Sequence, residues 1–237
     1  MTGNAQPTMQ GPLVGVTVVE LGDGTAGPYA AKLFGDLGAD VIKVEGPEGD
    51  SSRRRGPFPD GRPNPEASGL FMYLNVNKFG VMLDLDSASG LADMHGLLGR
   101  ADIFITNYTG KRLEALGLNA KALRARYPTL IVTTISPFGA DGPWADKLGD
   151  ELITFAMAGM AYSTPGMPDA SDDLIKEPPL HPACFTADTI GGVVAAEATM
   201  AALLGRGKTG EGCHVELSQQ AAMAAMQIRY VKEASNT

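Results

Sequence analysis

Asp188 stands out among the 27 acidic residues of the chain because of its surroundings. It lies in A-C-F-T-A-D-T-I-G-G, a mostly apolar segment at the predicted start of a long helix. There the helix dipole favours an ionised carboxylate, and a carboxylate that faces a pocket can attack a carbonyl carbon as a nucleophile. Aspartate is also a frequent helix N-cap, and most acidic residues are solvated surface groups. The residue types alone therefore leave both the nucleophile and the N-cap open.

A glycine-rich turn is the second feature that could do chemistry. The run 16–21 is rich in β-branched residues, and Gly22, Gly24 and Gly27 follow it before Pro28 starts a helix. Backbone amides at such a helix start favour anionic groups. However, G-D-G-T-A-G lacks the spacing of the dinucleotide-binding fingerprint. By its residues alone this segment predicts a tight strand-to-helix turn more strongly than a phosphate site.

The composition limits the partners that the chain can have. Its 237 residues are enough for one large domain with a substantial core. The net charge of −8 argues against a nucleic-acid partner, and the short basic cluster 53–55 is typical of a solvated loop. The sequence shows no signal peptide and no apolar run long enough to span a bilayer. We therefore expect a cytoplasmic protein without a membrane partner.

The cysteines and histidines give no sign of a metal site. Cys184 and Cys213 do not form a C-x-x-C pair, and His95, His181 and His214 lack the spacing of metal ligands. We predict that no metal is bound and that both cysteines lie in or near the core.

Strand-like runs alternate with helical patterns, which predicts an α/β domain with a largely parallel sheet. The predicted strands are 16–21, 40–45, 80–84, 102–106, 130–135 and 213–217. The predicted helices are 28–37, 87–99, 119–126, 151–159, 188–205 and 218–231. We expect a flexible tail at 1–10, one domain over 11–237 and a long surface loop at 46–68. Gly191 and Gly192 give their helix a smooth face for close packing on a neighbour.

Longer motifs follow one another from Gly11 to the end of the sequence. They are A-G-P-Y-A at 26–30, L-G-A-D-V-I-K-V-E at 37–45, G-D-S-S-R at 49–53, L-N-V-N-K at 74–78, A-D-I-F-I-T-N-Y at 101–108, L-G-L at 116–118, I-S-P-F-G-A-D-G-P at 135–143, A-D-T-I-G-G at 187–192 and A-L-L-G-R-G-K-T-G-E-G-C-H-V-E-L-S at 202–218. Their order and spacing resemble the class III coenzyme A transferases. That family includes formyl-CoA, carnitine-CoA and bile-acid-CoA transferases and the related α-methylacyl-CoA racemases.

The resemblance implies a fold and a reaction. It implies the Rossmann-like large domain of the family, with flanking helices and with the small domain absent. The nucleophilic aspartate of the family stands in the same context as Asp188, with a glycine four residues later, here Gly192. Asp188 would attack an acyl-CoA and form an acyl-enzyme anhydride while CoA leaves. Acyl-CoA and a carboxylic acid would be the substrates, and no permanently bound cofactor is expected.

The resemblance also implies contacts with CoA. They fall on Gly24, Thr25, Ala26, Arg53, Lys78, Asn107, Tyr108 and Lys147. Without the resemblance, both lysines would be interpreted as solvent-exposed charges. Gly46 replaces a basic residue of many relatives, so one ionic contact with CoA is either absent or supplied by Arg53 or Arg54. In relatives an asparagine and an aromatic residue are followed by Arg-Pro-Gly, whereas here the run is N-Y-T-G-K-R, so that the basic residues are Lys111 and Arg112. Both departures from the family pattern concern the affinity for CoA.

Three functions stay open. The first is a CoA transferase, as one subunit or as the N-terminal part of a larger enzyme. The second is a non-catalytic CoA-binding subunit that pairs with an active paralogue. The third is an acyl-CoA racemase, although the family's G-H-D segment here is Gly149-Asp150-Glu151, so other acids such as Asp150 or Glu151 would have to act. Family members are longer and interlock as dimers, so we expect a homo- or hetero-oligomer in which a chain supplies the C-terminal half.

Overall fold

The computed structural model describes residues 11–162, 164 and 180–227. The predicted tail at 1–10 lies outside them. The strands are β1 (Thr17–Leu21), β2 (Asp40–Glu45), β3 (Lys78–Met82), β4 (Ile103–Thr106), β5 (Ile131–Ser136) and β6 (His214–Ser218). The α-helices are α1 (Ala26–Asp36), α2 (Gly69–Asn75), α3 (Ala88–Leu98), α4 (Gly110–Ala115), α5 (Ala120–Arg126), α6 (Glu151–Met157), α7 (Thr186–Thr209) and α8 (Gln219–Ala225).

The six strands form one parallel sheet in the order β3-β2-β1-β4-β5-β6. This confirms the prediction of a Rossmann-like α/β fold. Every strand ends at the same edge of the sheet, so the loops that follow the strands lie together. The direction in which strands are added reverses between β1 and β4, which leaves a crevice where ligands bind in folds of this type.

Two apolar layers cover the two faces of the sheet. Successive side chains of a strand point to opposite faces, so Val18 joins the layer under α1 and α7, whereas Val19 joins the layer under α3, α4 and α5. Phe34 of α1 and Met94 of α3 are fully buried in these two layers. Because both faces are covered, the central strands bury apolar side chains on both sides, and they also bury polar ones such as Glu20 and Lys43.

Helix α7 packs along α1 at very short range. A Cβ atom at Gly192 would lie 2.8 Å from the carbonyl oxygen of Ala26 and 3.2 Å from Cδ1 of Tyr29. The predicted close packing of this glycine face is therefore confirmed, within the chain itself. By length and composition α7 alone among the described helices could cross a membrane, but core helices meet the same criteria.

Several element boundaries differ from the prediction. Helix α7 begins two residues earlier than predicted and β3 also begins two residues earlier, and α2 and α4 were not predicted. The surface loop 46–68 contains three short 3-10 turns. Helix α8 ends at Ala225, short of the predicted end, and residues 228–237 lie outside the described residues.

The prediction for the cysteines is half right. Cys213 is half-buried against the layer under α1 and α7. Cys184 is exposed, so its predicted place in or near the core is wrong. It lies on the segment that enters α7, where its Sγ atom is 3.2 Å from Oγ1 of Thr186.

Candidate active site

A cavity of about 410 Å³ opens at the carboxyl edge of the sheet. The loops after β1, β2, β4 and β5 and the starts of α6, α7 and α8 form its wall. Its lining residues are Asp23, Gly24, Thr25, Ser51, Arg55, Asn107, Ile135, Pro137, Gly149, Asp150, Glu151, Leu152, His181, Asp188 and Gln219. The cavity lies beside the β1–β4 reversal, the usual ligand position in an open α/β sheet.

Asp188 lies in this cavity, in the first turn of α7. Its Oδ1 atom accepts a hydrogen bond from Nε2 of Gln219 at 2.7 Å, and within the described ranges its Oδ2 atom accepts none. Burial raises the pKa of Asp188 to about 6, the negative charge of Glu151 adds to this, and the bond from Gln219 opposes it. At neutral pH the carboxylate is therefore largely ionised but weakly solvated, as a nucleophile requires.

Glu151 caps the start of α7 in place of a local residue. Its carboxylate accepts hydrogen bonds from the backbone N–H groups of Ala187 at 2.9 Å and Asp188 at 2.8 Å. The same carboxylate lies 3.1 Å from Nε2 of His181. The N-cap position itself is Phe185, which makes no side-chain capping bond. The interpretation of Asp188 as the N-cap is therefore wrong, and its side chain is left for the cavity.

Gln219 reaches Asp188 because α7 carries a glycine at the crossing. A Cβ atom at Gly191 would lie 2.7 Å from Cγ of Gln219. Gln219 is the first residue of α8, directly after β6, and it is buried. The carboxylate and its hydrogen-bond donor therefore come from two different helices, α7 and α8, which approach each other closely at Gly191.

The glycine turn after β1 forms the opposite wall. Gly24 has a φ of +73°, a conformation that favours glycine, and its N–H group donates to Oδ1 of Asp50 at 3.2 Å. Asn107 accepts from the N–H group of Asp23 at 2.9 Å and donates to its carbonyl oxygen at 2.8 Å. Among the described residues, the buried hydroxyl of Thr25 has no hydrogen-bond partner. Asp50 and Asn107 thus hold the backbone of the turn, while the Thr25 hydroxyl is left without a hydrogen bond among the described residues.

A buried network of ion pairs connects this turn to the sheet. Nζ of Lys43 lies 2.9 Å from Glu20, 2.7 Å from Asp50 and 3.2 Å from the carbonyl oxygen of Gly22. Burial opposes its charge, but Glu20 and Asp50 outweigh this and raise the pKa of Lys43. Lys78 binds the other oxygen of Glu20 at 2.8 Å. The network thus connects β1, β2 and β3 with Asp50, which holds Gly24.

Three of the predicted CoA contacts share the cavity with Asp188, namely Gly24, Thr25 and Asn107. The structure does not bring the other five to it: they are Ala26, Arg53, Lys78, Tyr108 and Lys147. The ammonium of Lys78 is enclosed by Glu20, the carbonyl oxygen of Pro28 and Oδ1 of Asn75. Burial lowers its pKa to about 8 although Glu20 acts in the opposite direction. The alternative of a solvent-exposed charge is therefore wrong for Lys78, whereas Lys147 is exposed.

Sequence reasoning did not single out Arg55 or Gln219 as site residues, and it considered Glu151 only as an alternative acid. Glu151 and Gln219 lie 37 and 31 positions from Asp188 along the chain. No local pattern reveals such a pairing. Among the described residues, no group of three or more His, Cys, Asp and Glu side chains is arranged to hold a metal ion.

Residues 13–237 match CoA-transferase family III. A succinate–glutarate CoA-transferase of Agrobacterium fabrum is 34% identical over 232 residues, which are 95% of this chain and 56% of that protein. An (R)-2-hydroxy-4-methylpentanoate CoA-transferase of Clostridioides difficile is 36% identical over 87% of this chain and 50% of its own length. The chain therefore spans about half the length of the curated relatives it matches.

Solved structures agree with this assignment. A CaiB/BaiF family protein from Brucella suis superimposes with a TM-score of 0.84 at 30% identity, over 96% of this chain and 58% of that one. Rv3272 from Mycobacterium tuberculosis gives a TM-score of 0.81 at 30% identity, over 95% of this chain and 60% of its own. The resemblance that the motifs indicated is confirmed, and the chain belongs to CoA-transferase family III.

Proposed function

We propose that this chain takes part in the transfer of coenzyme A from an acyl-CoA donor to a carboxylic acid, with Asp188 as the nucleophile. The observation that carries the proposal is the environment of Asp188. Three other carboxylates line the cavity, and Asp23, Asp150 and Glu151 each accept hydrogen bonds from backbone N–H groups. Asp188 accepts only the side-chain bond from Gln219 within the described residues. The names of the two relatives described above, both CoA-transferases, support the reaction class.

The proposed first step is an acyl transfer to the enzyme. The Oδ2 atom of Asp188 attacks the thioester carbonyl carbon, a carbon–oxygen bond forms, the carbon–sulfur bond breaks, and the electron pair leaves with the CoA thiolate. The product is a mixed anhydride between the acyl group and Asp188. The CoA thiolate then attacks the carboxyl carbon of Asp188, the carbon–oxygen bond of the anhydride breaks, and the first acid leaves as a carboxylate, which gives an enzyme–CoA thioester. The second acid attacks this thioester, forms a new mixed anhydride with Asp188 and releases the CoA thiolate again. Attack of that thiolate on the acyl carbon of the second acid forms the new acyl-CoA and restores the Asp188 carboxylate. Glu151 holds the backbone of Asp188 in place during these steps.

The unsatisfied hydroxyl of Thr25 supports a substrate contact at the glycine turn. A buried polar group without a hydrogen bond costs about 1–3 kcal/mol, and Thr25 is one of the residues that line the cavity. We propose that Gly24, Thr25 and Asn107 contact the CoA thioester. The contacts of Ala26, Arg53, Lys78, Tyr108 and Lys147 with CoA stay predictions.

We also propose that the working enzyme is a homo- or hetero-oligomer in which a chain supplies the part of the relatives that this one does not match. Apolar side chains on α2 and the edge strand β3 support this because they are exposed: Met72, Tyr73, Phe79 and Met82. One relative is itself a subunit, the succinyl-CoA–L-malate CoA-transferase alpha subunit of Chloroflexus aurantiacus, at 32% identity. The cytoplasm remains the expected compartment, and both cysteines are free.

An acyl-CoA racemase remains a second candidate because the structure adds a histidine to the cavity. His181 comes from a different segment than the family's G-H-D position, and it lines the same cavity as Asp188. Its Nε2 atom is engaged by Glu151 at 3.1 Å, which favours a structural role. Exchange of deuterium into the α-position of a 2-methylacyl-CoA would identify a racemase, and absence of exchange would remove this candidate.

Trapping the acyl-enzyme tests the main proposal. The protein, purified from its source with any polypeptide that accompanies it, is incubated with an acyl-CoA and then with hydroxylamine. We expect mass spectrometry to find a hydroxamate on Asp188, and we expect Asp188→Asn to reduce the yield at least ~10³-fold. Asp150→Asn is the matched control, since asparagine also caps helices and Asp150 caps α6.

CoA binding without any adduct would favour the non-catalytic CoA-binding subunit instead. An adduct on a different carboxylate would keep the reaction class but contradict the role of Asp188.

A further inference from the structure

Three consecutive arginines, residues 53–55, lie in the loop after β2. Their side chains have different environments. Arg53 binds both oxygens of Glu45, at 2.7 and 2.8 Å. Arg54 donates to the carbonyl oxygen of Glu48 at 3.0 Å. Arg55 lines the cavity, and its guanidinium has no hydrogen bond or ion pair with any residue that the structure describes. Of the three, Arg55 is the one whose charge is left for a ligand.

The chain holds Arg55 in this place. Its N–H group donates to the carbonyl oxygen of Ser52 at 3.0 Å, and its own carbonyl oxygen accepts from the buried hydroxyl of Ser68 at 2.6 Å. The guanidinium lies over the ring of Phe185, with 5.4 Å between Cζ and the ring centroid. Phe185 is the N-cap of α7, three residues before Asp188. A stacked guanidinium loses little freedom on binding a ligand, so Arg55 is prepared for an anion near Asp188.

No described side chain forms a hydrogen bond or ion pair with Arg55, although its positive charge acts on Asp188 and opposes the rise in the pKa of that carboxyl that burial causes. Arg55 and His181 are the basic side chains among the residues that line it, and His181 is engaged by Glu151. The other cavity carboxylates face backbone N–H groups rather than Arg55. A guanidinium offers two parallel N–H donors that match a carboxylate. The cavity therefore holds a nucleophile together with a guanidinium that no described carboxylate binds directly.

We propose that Arg55 binds a second carboxylate of the acyl group, and that the site therefore selects dicarboxylic acids and their mono-CoA thioesters. This proposal rests on the proposed function of Asp188. When the thioester carbonyl of such a substrate faces Asp188, the carboxylate at the other end of the acyl group faces Arg55. The phosphates of CoA are separated from the thioester by the whole pantetheine arm. A cation that shares the cavity with the nucleophile is thus placed for the acyl group rather than for the phosphates.

The test compares two acyl groups of equal carbon number, one with and one without a distal carboxylate. Acyl-enzyme formation is measured with succinyl-CoA and with butyryl-CoA, for the wild-type protein, Arg55→Met, Arg55→Lys and Arg62→Met. Arg62 is an exposed arginine of the same loop that does not line the cavity. We expect Arg55→Met to slow the reaction with succinyl-CoA by about 10- to 100-fold. The reaction with butyryl-CoA should stay within about threefold, Arg55→Lys should fall between, and Arg62→Met should change neither.

Two results would overturn the role of Arg55 while leaving the proposed function intact. One is an equal effect of Arg55→Met on both thioesters together with weaker binding of free CoA, which would assign the guanidinium to CoA phosphate. The other is no effect on either thioester.

A failure of the proposed function looks different: the wild type would form no acyl-enzyme with either probe. Arg55 is then tested by calorimetry with succinate and butyrate alone. Selective binding of succinate that Arg55→Met abolishes would support the carboxylate receptor, and equal binding of both acids would overturn it.

Discussion

At the level of single residues, the chemistry of the site depends on how Asp188 is balanced between neutral and ionised forms. Burial and the negative charge of Glu151 favour the neutral acid, whereas the hydrogen bond from Gln219 favours the carboxylate. The resulting pKa of about 6 lies below neutral pH but well above that of a solvated aspartate. The carboxylate is therefore present at neutral pH and more basic than an exposed one, which makes it a better nucleophile.

This balance predicts a pH dependence. Only the deprotonated carboxylate attacks, so we expect the rate of acyl-enzyme formation to rise with pH and to reach half its maximum near pH 6. Gln219→Leu removes the bond that stabilises the carboxylate and should move this midpoint upward by about one unit. Gln220→Leu is the control, because Gln220 donates to the carbonyl oxygen of Met157 instead. Rates measured by rapid quench between pH 4.5 and 8.5 give the midpoint.

A midpoint near pH 4 in the wild type would contradict the raised pKa of Asp188. Equal shifts in both glutamine variants would show that the hydrogen bond from Gln219 is not the cause.

At the level of secondary-structure elements, the sequence predicted what depends on local patterns. The strands were placed to within about two residues because runs such as 16–21 are β-branched and apolar. The start of α7 was predicted two residues too late, and the residue that caps its amides, Glu151, is 37 positions away from Asp188. Cys184 was predicted in or near the core from its residue type, but it is exposed. Contacts between distant elements were thus the part that the sequence did not reveal.

The contact between α1 and α7 predicts a position-specific effect of alanine on stability. Gly192→Ala would push Cβ against the backbone of Ala26, and we expect the free energy of unfolding to fall by about 1–3 kcal/mol. Gly205→Ala in the same helix has open space around it and should raise that free energy by up to about 1 kcal/mol, because alanine is the better helix former. Urea denaturation followed by circular dichroism measures both. Equal effects of the two variants would mean that the two helices do not pack as closely as described.

At the level of the whole molecule, the parallel sheet explains why the site lies at one edge of the sheet. Parallel strands end together, so the glycine turn, Asn107, Asp188 and Gln219 meet although they lie far apart in sequence. The buried pairs of Glu20 with Lys43 and Lys78 fix three strands and the turn as one unit. These bonds hold the wall of the cavity that the glycine turn forms. The starts of α6, α7 and α8 form the opposite wall.

The edge strand β3 leaves an apolar surface exposed. Phe79 and Met82 lie on β3, at the edge of the sheet, and are 57% and 68% exposed. Unpaired edge strands with apolar side chains are prone to association, and this chain spans about half the length of the relatives it matches. We therefore expect native mass spectrometry of the protein from its source to show an oligomer that Phe79→Glu weakens at least about tenfold. Val14→Glu, at an exposed position before β1, is the control and should leave the oligomer intact. CoA transfer should fall with the oligomer in the Phe79 variant, whereas a monomeric wild type with full turnover would show that this chain completes the site alone.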